Sequence, residues 1–309
     1  MISILKKTNG ALSTIDEPVA GSWVNAVAPD AADIERLQAL GVPVSFISAA
    51  LDEDERARTD KEGGASLIIV RVPFDLGEGA DVRYWTVPLG IVLVGELIVT
   101  ICKFPNTVLD GVLKNRVHVP PTGKRNRLLL FLLQSTAQNY LFYLRRIDTV
   151  TDEIESKLKV SLQNEEVLQL LTYQKSLVYF MTGLRSNDLV MQRLQKSQLF
   201  QLYPDDLELL DDVLTENTQA TEMTGISSNI LSQSMDAYAS IISNNLNVVM
   251  KFLASVTILL TFPTLVASIY GMNVPLPGQT NPQAFWFVMG LSVLLSSIAA
   301  AFFWKRRWF

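Results

Sequence analysis

Hydrophobic and polar positions follow different rules in different parts of this chain. Over the first 120 or so residues, short apolar runs alternate with turn residues. Ser22 to Val27, Ser66 to Val72 and Arg83 to Ile101 read as strands, with Leu67-Ile68-Ile69-Val70 continuously apolar. The last of these is expected to break near Gly90 and Gly95. Asp30 is placed to cap a helix running through Leu40 that Gly41 ends, and Pro43 opens another through Leu51. Val119-Pro120-Pro121-Thr122-Gly123 reads as a linker. After it the pattern turns helical, from Asn126 to about Gln163 and from Asn164 to about Ser197, with Gly183 the weak point of the second stretch. Tyr203-Pro204-Asp205-Asp206 then marks a turn and a helix start, its acids suited to the positive end of a helix dipole. From there a helical pattern can continue to Tyr270.

Two stretches near the C-terminus contain no Asp, Glu, Lys, Arg or His: Phe252 to Tyr270, 19 residues, and Ala284 to Trp304, 21 residues. At about 1.5 Å per residue each is long enough to cross a hydrocarbon core of roughly 30 Å. The expected organisation is an α/β domain over 1–122, a helical hairpin over 123–204 and a long stalk helix over 205–270, whose last part (about 252–270) is the first span. A loop over 271–283, a second span over 284–304 and a basic end over 305–309 follow. The fold class is therefore α+β followed by long helices and two C-terminal transmembrane helices.

Composition sharpens this picture. Mean hydropathy is +0.24 with 18% charged residues, too polar for a chain made mainly of spans. The net charge of -5 hides an asymmetry, because Asp236 is the last acid and only Lys251, Lys305, Arg306 and Arg307 follow it. The positive-inside rule then puts both termini in the cytosol and the uncharged loop outside. The N-terminus has no signal-peptide core, and the single cysteine, Cys102, is expected to be a buried thiol in a reducing compartment. No basic surface for nucleic acid, no nucleotide-binding glycine pattern (Gly77-Glu78-Gly79 does not make one) and no catalytic constellation is present, so an enzyme is not expected. His118, the only histidine, reads as a loop residue beside Pro120.

Stepping by threes and fours from Asp236 gives Ser240, Ser243, Asn247, Met250, Leu253 (or Ala254), Thr257, Thr261, Thr264 and Ser268, one face of a helix. Two readings stand. The hydroxyls can bond back to their own backbone or glue helix to helix, or the face can line water, which requires several copies of the chain. Pro263 frees a backbone carbonyl inside the span, either as a tolerated kink or as an oxygen facing an ion.

Tyr270-Gly271-Met272-Asn273 at the end of the first of two C-terminal spans resembles the CorA magnesium-channel family. Ser243 to Lys251 leading into the span and the acidic segment Leu51 to Arg58 are similar to it as well. The resemblance implies a CorA-like funnel, a homopentamer in the cell (inner) membrane. Gly271, Met272 and Asn273 would form the selectivity ring at the outer mouth. Asn247, Met250, Leu253, Thr257, Thr261, Thr264 and Ser268 would line the pore, Met250 and Leu253 would gate it, and Asp236 would belong to a regulatory Mg²⁺ site. The implied activity is entry of Mg²⁺ into the cytosol down the membrane potential, with Co²⁺ and Ni²⁺ as further candidate ions and no cofactor beyond transported and regulatory Mg²⁺. Expected partners are the chain itself, these ions and membrane lipid. Two alternatives remain: a zinc-transporting relative of the ZntB type, from which Met272 points away, and a two-span receptor or scaffold that conducts nothing. The loop from Val274 to Asn281 has no acid where many members carry Met-Pro-Glu-Leu.

Overall fold

Leu67 to Val70 is apolar throughout because both of its faces are covered. It lies in β5 (Ala65–Asp75), the strand beside edge strand β4 in a seven-stranded sheet of order β2-β1-β3-β7-β6-β5-β4. The other strands are β1 (Ile2–Thr8), β2 (Ala11–Thr14), β3 (Trp23–Val27), β4 (Arg58–Glu62), β6 (Tyr84–Val94) and β7 (Leu97–Cys102). The helices are α1 (Ala31–Ala39), α2 (Val44–Leu51), α3 (Thr107–Leu113), α4 (Arg125–Val160), α5 (Asn164–Lys196), α6 (Pro204–Tyr270) and α7 (Ala284–Lys305). The computed structural model describes residues 1–8, 11–114, 119–160, 164–196, 204–278, 281–306 and 308. The expectations for His118, Tyr203, Gln279, Thr280 and Arg307, and for the helix ends near Gln163 and Ser197, lie outside these residues. The chain forms two compact units, Met1–Gln233 and Ser234–Phe309.

In the first unit, side chains alternate along β5 between two cores. Leu67 and Ile69 join Leu37, Phe46, Ile47 and Ala50 of α1 and α2 on one face. Ile68, Val70 and Val72 join Leu129, Leu133, Met191 and Leu194 of α4 and α5 on the other. Among the described residues, only β3 and β7 pair in parallel. The Asp30 cap is present as a full capping box, with Asp33 N–H donating to Asp30 Oδ1 at 2.8 Å.

The expected break at Gly95 occurs, since Gly95 has φ 53° in the turn between β6 and β7. The break at Gly90 does not, and β6 runs straight through it. A Cβ at Gly90 would come within 2.5 Å of the Cβ of Ala50, so this glycine makes room for α2 rather than a turn. Gly183 has the same explanation on the opposite face. A Cβ there would lie 2.5 Å from the buried Tyr140 hydroxyl and 3.2 Å from Thr86, so α5 sits close against β5 and β6 without a helix break.

Arg71 ties these layers together. It lies two residues past Ile69, the last β5 residue paired with β4, and Asn187 of α5 takes over as its edge partner. Arg71 N–H donates to Asn187 Oδ1 at 2.7 Å, and Asn187 Nδ2 donates to Arg71 O at 2.8 Å. The Tyr140 hydroxyl of α4 donates to the same carbonyl at 3.1 Å. The guanidinium reaches the other way and donates to Glu53 O at 2.6 Å and Glu55 O at 2.9 Å, fixing the backbone of the acidic segment whose carboxylates stay at the surface. A charge-assisted bond of this kind is about twice as strong as a neutral one.

Cys102 is fully buried on β7, and burial pushes its thiol up to about 12. At pH 8 this leaves on the order of a thousandfold fewer thiolates than an ordinary cysteine would have. Iodoacetamide should therefore leave the native protein unmodified at pH 8 and alkylate it fully in guanidinium chloride, as read by intact mass. Rapid native labelling would contradict the burial.

Candidate functional site

The residues chosen for the site from Asp236 to Ser268 all lie on α6 within the second unit, and all are exposed along one face. They are strung along the helix rather than gathered into a cluster. Among the described residues, no group of three His, Cys, Asp or Glu side chains is close enough to hold a metal ion.

What orients this face is the packing of α6 on α7. Ser255 and Val266 of α6 are buried, as are Ser292 and Phe303 of α7. Ser255, Leu259 and Val266 fall within about 40° of one another at 100° per residue, and form the side that meets α7. On the same count Thr257, Thr261, Thr264 and Ser268 centre about half a turn away, with Met250 and Leu253 among them and Asn247 toward one side. The hydroxyl stripe therefore points away from the chain's own second apolar helix, so it is not glue within that hairpin.

The back-bonding reading holds for the threonines. Thr257 Oγ1 donates to Leu253 O at 2.8 Å, Thr261 Oγ1 to Thr257 O at 2.8 Å and Thr264 Oγ1 to Leu260 O at 3.0 Å. This does not exhaust them. A hydroxyl has one hydrogen and two lone pairs, so once the hydrogen is committed to the backbone the exposed side offers acceptor oxygen only. Back-bonding through the proton is thus compatible with a face that accepts through the lone pairs.

Pro263 has two readings, a tolerated kink or a carbonyl facing an ion, and its surroundings favour the first. Lacking an N–H, it cannot bond the carbonyl four residues back, which is that of Leu259. Ser296 of α7 occupies the gap, its Oγ donating to Leu259 O at 3.5 Å. The freed oxygen faces α7 rather than the hydroxyl face, with a serine hydroxyl of α7 as its long-range partner. Ser296 was not singled out from the sequence. The signal was available only as a third small polar residue in an apolar run, together with Ser292 and Ser297.

Beyond Tyr270 the backbone closes tightly. Gly271 N–H donates to Ala267 O at 2.9 Å and Met272 N–H to Ile269 O at 3.2 Å, which carries the helix into a turn and leaves Gly271, Met272 and Asn273 all exposed. A Cβ on Gly271 would meet Ala267 O at 3.2 Å, so glycine suits the close turn. The returning chain is held by Asn281, whose Oδ1 accepts from Gln283 N–H at 2.9 Å just before α7. Tyr270, Pro277, Asn281, Trp286 and Phe287 line an open recess of about 780 Å³ at this end of the hairpin.

This combination of an α/β sheet unit, long helices and two apolar C-terminal helices occurs in known proteins. The family model described as CorA-like Mg²⁺ transporter protein matches residues 20–307. The cobalt/magnesium transport protein CorA of Methanocaldococcus jannaschii is 28% identical over 297 residues, covering 93% of this chain and 90% of that protein. The protein of the same name from Thermotoga maritima is 24% identical over 186 residues, 59% of this chain and 52% of that protein. Among solved structures, the complete CorA magnesium transporter of M. jannaschii superposes with a TM-score of 0.86 at 25% identity, covering 100% of this chain and 99% of that one. The ZntB cytoplasmic domain of Vibrio parahaemolyticus superposes with a TM-score of 0.63 at 12% identity over 78% of this chain and 98% of that one, a likeness of fold alone. The fold is that of the full-length CorA structure, and the chain belongs to the CorA-like Mg²⁺ transporter family.

Proposed function

We propose that this protein is a homopentameric channel that admits Mg²⁺ to the cytosol. Each subunit crosses the inner membrane twice, with both termini on the cytosolic side. The observation that carries the proposal is the hydroxyl face of α6, turned away from α7 and presenting acceptor oxygen. Family membership and the names of the M. jannaschii and T. maritima relatives supply the ion class.

Mg²⁺ gives up its water reluctantly, and the hydrogens of its bound waters point outward. A wall that receives such an ion must accept hydrogen bonds rather than donate them. Thr257, Thr261 and Thr264 have their protons committed to the backbone and can only accept from that ion. Gly271, Met272 and Asn273 form the outer ring in this reading, with the Asn273 amide oxygens receiving the hydrated ion. No tight cage is required, and one would slow release. At 100 mV, inside negative, a dication gains about 4.6 kcal/mol on entry, so no second energy source is needed. Met250 and Leu253, exposed on the same face, close the inner end as an apolar constriction that dewets. Asn247 and then Asp236 continue the face beyond them. Copies of Asp236 brought near other carboxylates by assembly repel until a divalent ion binds, and intracellular Mg²⁺ thereby favours the closed state. Co²⁺ and Ni²⁺ are further candidate cargo.

Three outcomes follow from this reading. Asn273→Ala should reduce Mg²⁺ uptake into proteoliposomes at least tenfold while the pentamer stays intact by size-exclusion chromatography with light scattering. Normal flux from an assembled variant would remove Asn273 from the selectivity ring. A cysteine at Thr261 should react with a small charged thiol reagent in the membrane, whereas one at Ser292 should not, and buried Cys102 supplies little background; the reverse pattern would refute the orientation of α6. Finally, Asp236→Asn should need several-fold more Mg²⁺ to protect the protein from protease and to suppress uptake. If both Mg²⁺ dependences match wild type, Asp236 is not part of the sensor.

A further inference from the structure

Two contacts in the second unit set the register of α6 against α7. Ser296 Oγ meets Leu259 O, and Tyr270 shares its recess with Ala284 and Trp286. Both fit a single antiparallel register. Continued about two turns beyond the Leu259–Ser296 contact, it brings Lys251 level with Trp304. Lys305 and Arg306 come next in the chain. Lys251 and the adjacent pair Lys305 and Arg306 thus lie at the same level, at one end of the hairpin. All three are exposed, and among the described residues none takes part in an ion pair with a carboxylate. The last acid before them, Asp236, is about four turns back along α6.

Aromatic rings surround this cationic end. Trp304 is 80% exposed. Arg306 closes α7, its N–H bonded to the carbonyls of Phe302 and Trp304, and its guanidinium carbon sits 5.7 Å from the centre of the Phe302 ring. The chain then folds back. Trp308 N–H donates to Phe303 O at 3.1 Å, and its indole stacks on Phe303 at 5.2 Å and 22°. Tryptophan rings settle at headgroup depth, with an apolar body against the acyl chains and an N–H toward water. Cations at that depth and without acidic partners attract phosphate.

We infer that Lys251, Lys305 and Arg306 hold the phosphate of an anionic phospholipid, with Trp304 and Trp308 against its glycerol and upper acyl region. The lipid bridges the end of one apolar helix to the start of the other, and so acts as a structural ligand of the hairpin. This goes beyond ion transport and does not depend on it. It needs only that α6 and α7 cross the bilayer, and it would stand for a protein that conducts nothing.

The test uses the full-length protein, stripped of lipid in detergent and then offered equal amounts of phosphatidylglycerol and phosphatidylcholine, with bound lipids counted by native mass spectrometry. Wild type should retain phosphatidylglycerol preferentially. K251Q, K305Q and R306Q should each lower that preference about fivefold, and K305R should keep it. Brominated phosphatidylglycerol should quench tryptophan fluorescence more than brominated phosphatidylcholine, and W304F should reduce the difference, with Trp308 accounting for the remainder. No headgroup preference in wild type, or an undiminished preference in all three glutamine variants, overturns the site. Equal quenching by the two brominated lipids overturns it as well, a measurement that needs no charge variant to fold. Loss of lipid preference with normal Mg²⁺ flux leaves the transport proposal intact, and loss of flux with normal preference leaves this one intact.

Discussion

Inside an apolar bilayer a helix has no water to complete its backbone hydrogen bonds, and α6 breaks its own ladder at Pro263. An unpaired carbonyl at that depth costs several kcal/mol. Ser296 reaches toward it from α7, on the same side of α6 as the buried Ser255 and Val266. Once that side is set, the 3.6-residue repeat leaves no freedom in the rest. Ser255 and Val266 turn inward to α7, and the threonines turn out.

A similar division of labour holds the first unit together. Where the β4 edge runs out, the Asn187 amide stands in for a strand, accepting from and donating to the backbone of a single residue of β5. The Arg71 side chain extends in the other direction and fixes the carbonyls of Glu53 and Glu55. Backbone satisfaction, more than ion pairing, sets the geometry in both units. The carboxylates of the acidic segment are left to solvent or to modest surface pairs such as Lys103 with Glu53 at 2.5 Å.

Local chemistry made much of this legible. The Asp30 cap, the buried strand around Ile69 and the glycine turn at Gly95 each depend on a few adjacent residues, and each is found where the sequence places it. The hydroxyl stripe was legible for the same reason, since one helix carries all of it. Features that depend on a distant partner were not. Gly90 reads as a breaker until Ala50 is seen against it, and Gly183 reads as a flaw until Tyr140 occupies the space. β4 (Arg58–Glu62) was missed because an exposed edge strand can be polar on both faces, and β1, β2 and the short α3 lack a run long enough to show a period. The partner of the Leu259 carbonyl lies 37 residues away and that of the Arg71 backbone 116, beyond the reach of any periodic pattern.

The hydroxyl face of α6 has one more property. From Phe252 to Ser268 it is built of hydroxyl and backbone groups, with no carboxylate, imidazole or amine among them. Nothing on that surface gains or loses a proton between mildly acidic and mildly alkaline conditions. A carrier that exchanges metal for protons needs a residue to hold the proton in mid-membrane, and this helix offers none. Its polarity comes from fixed dipoles, so it presents the same field whichever way the proton gradient runs.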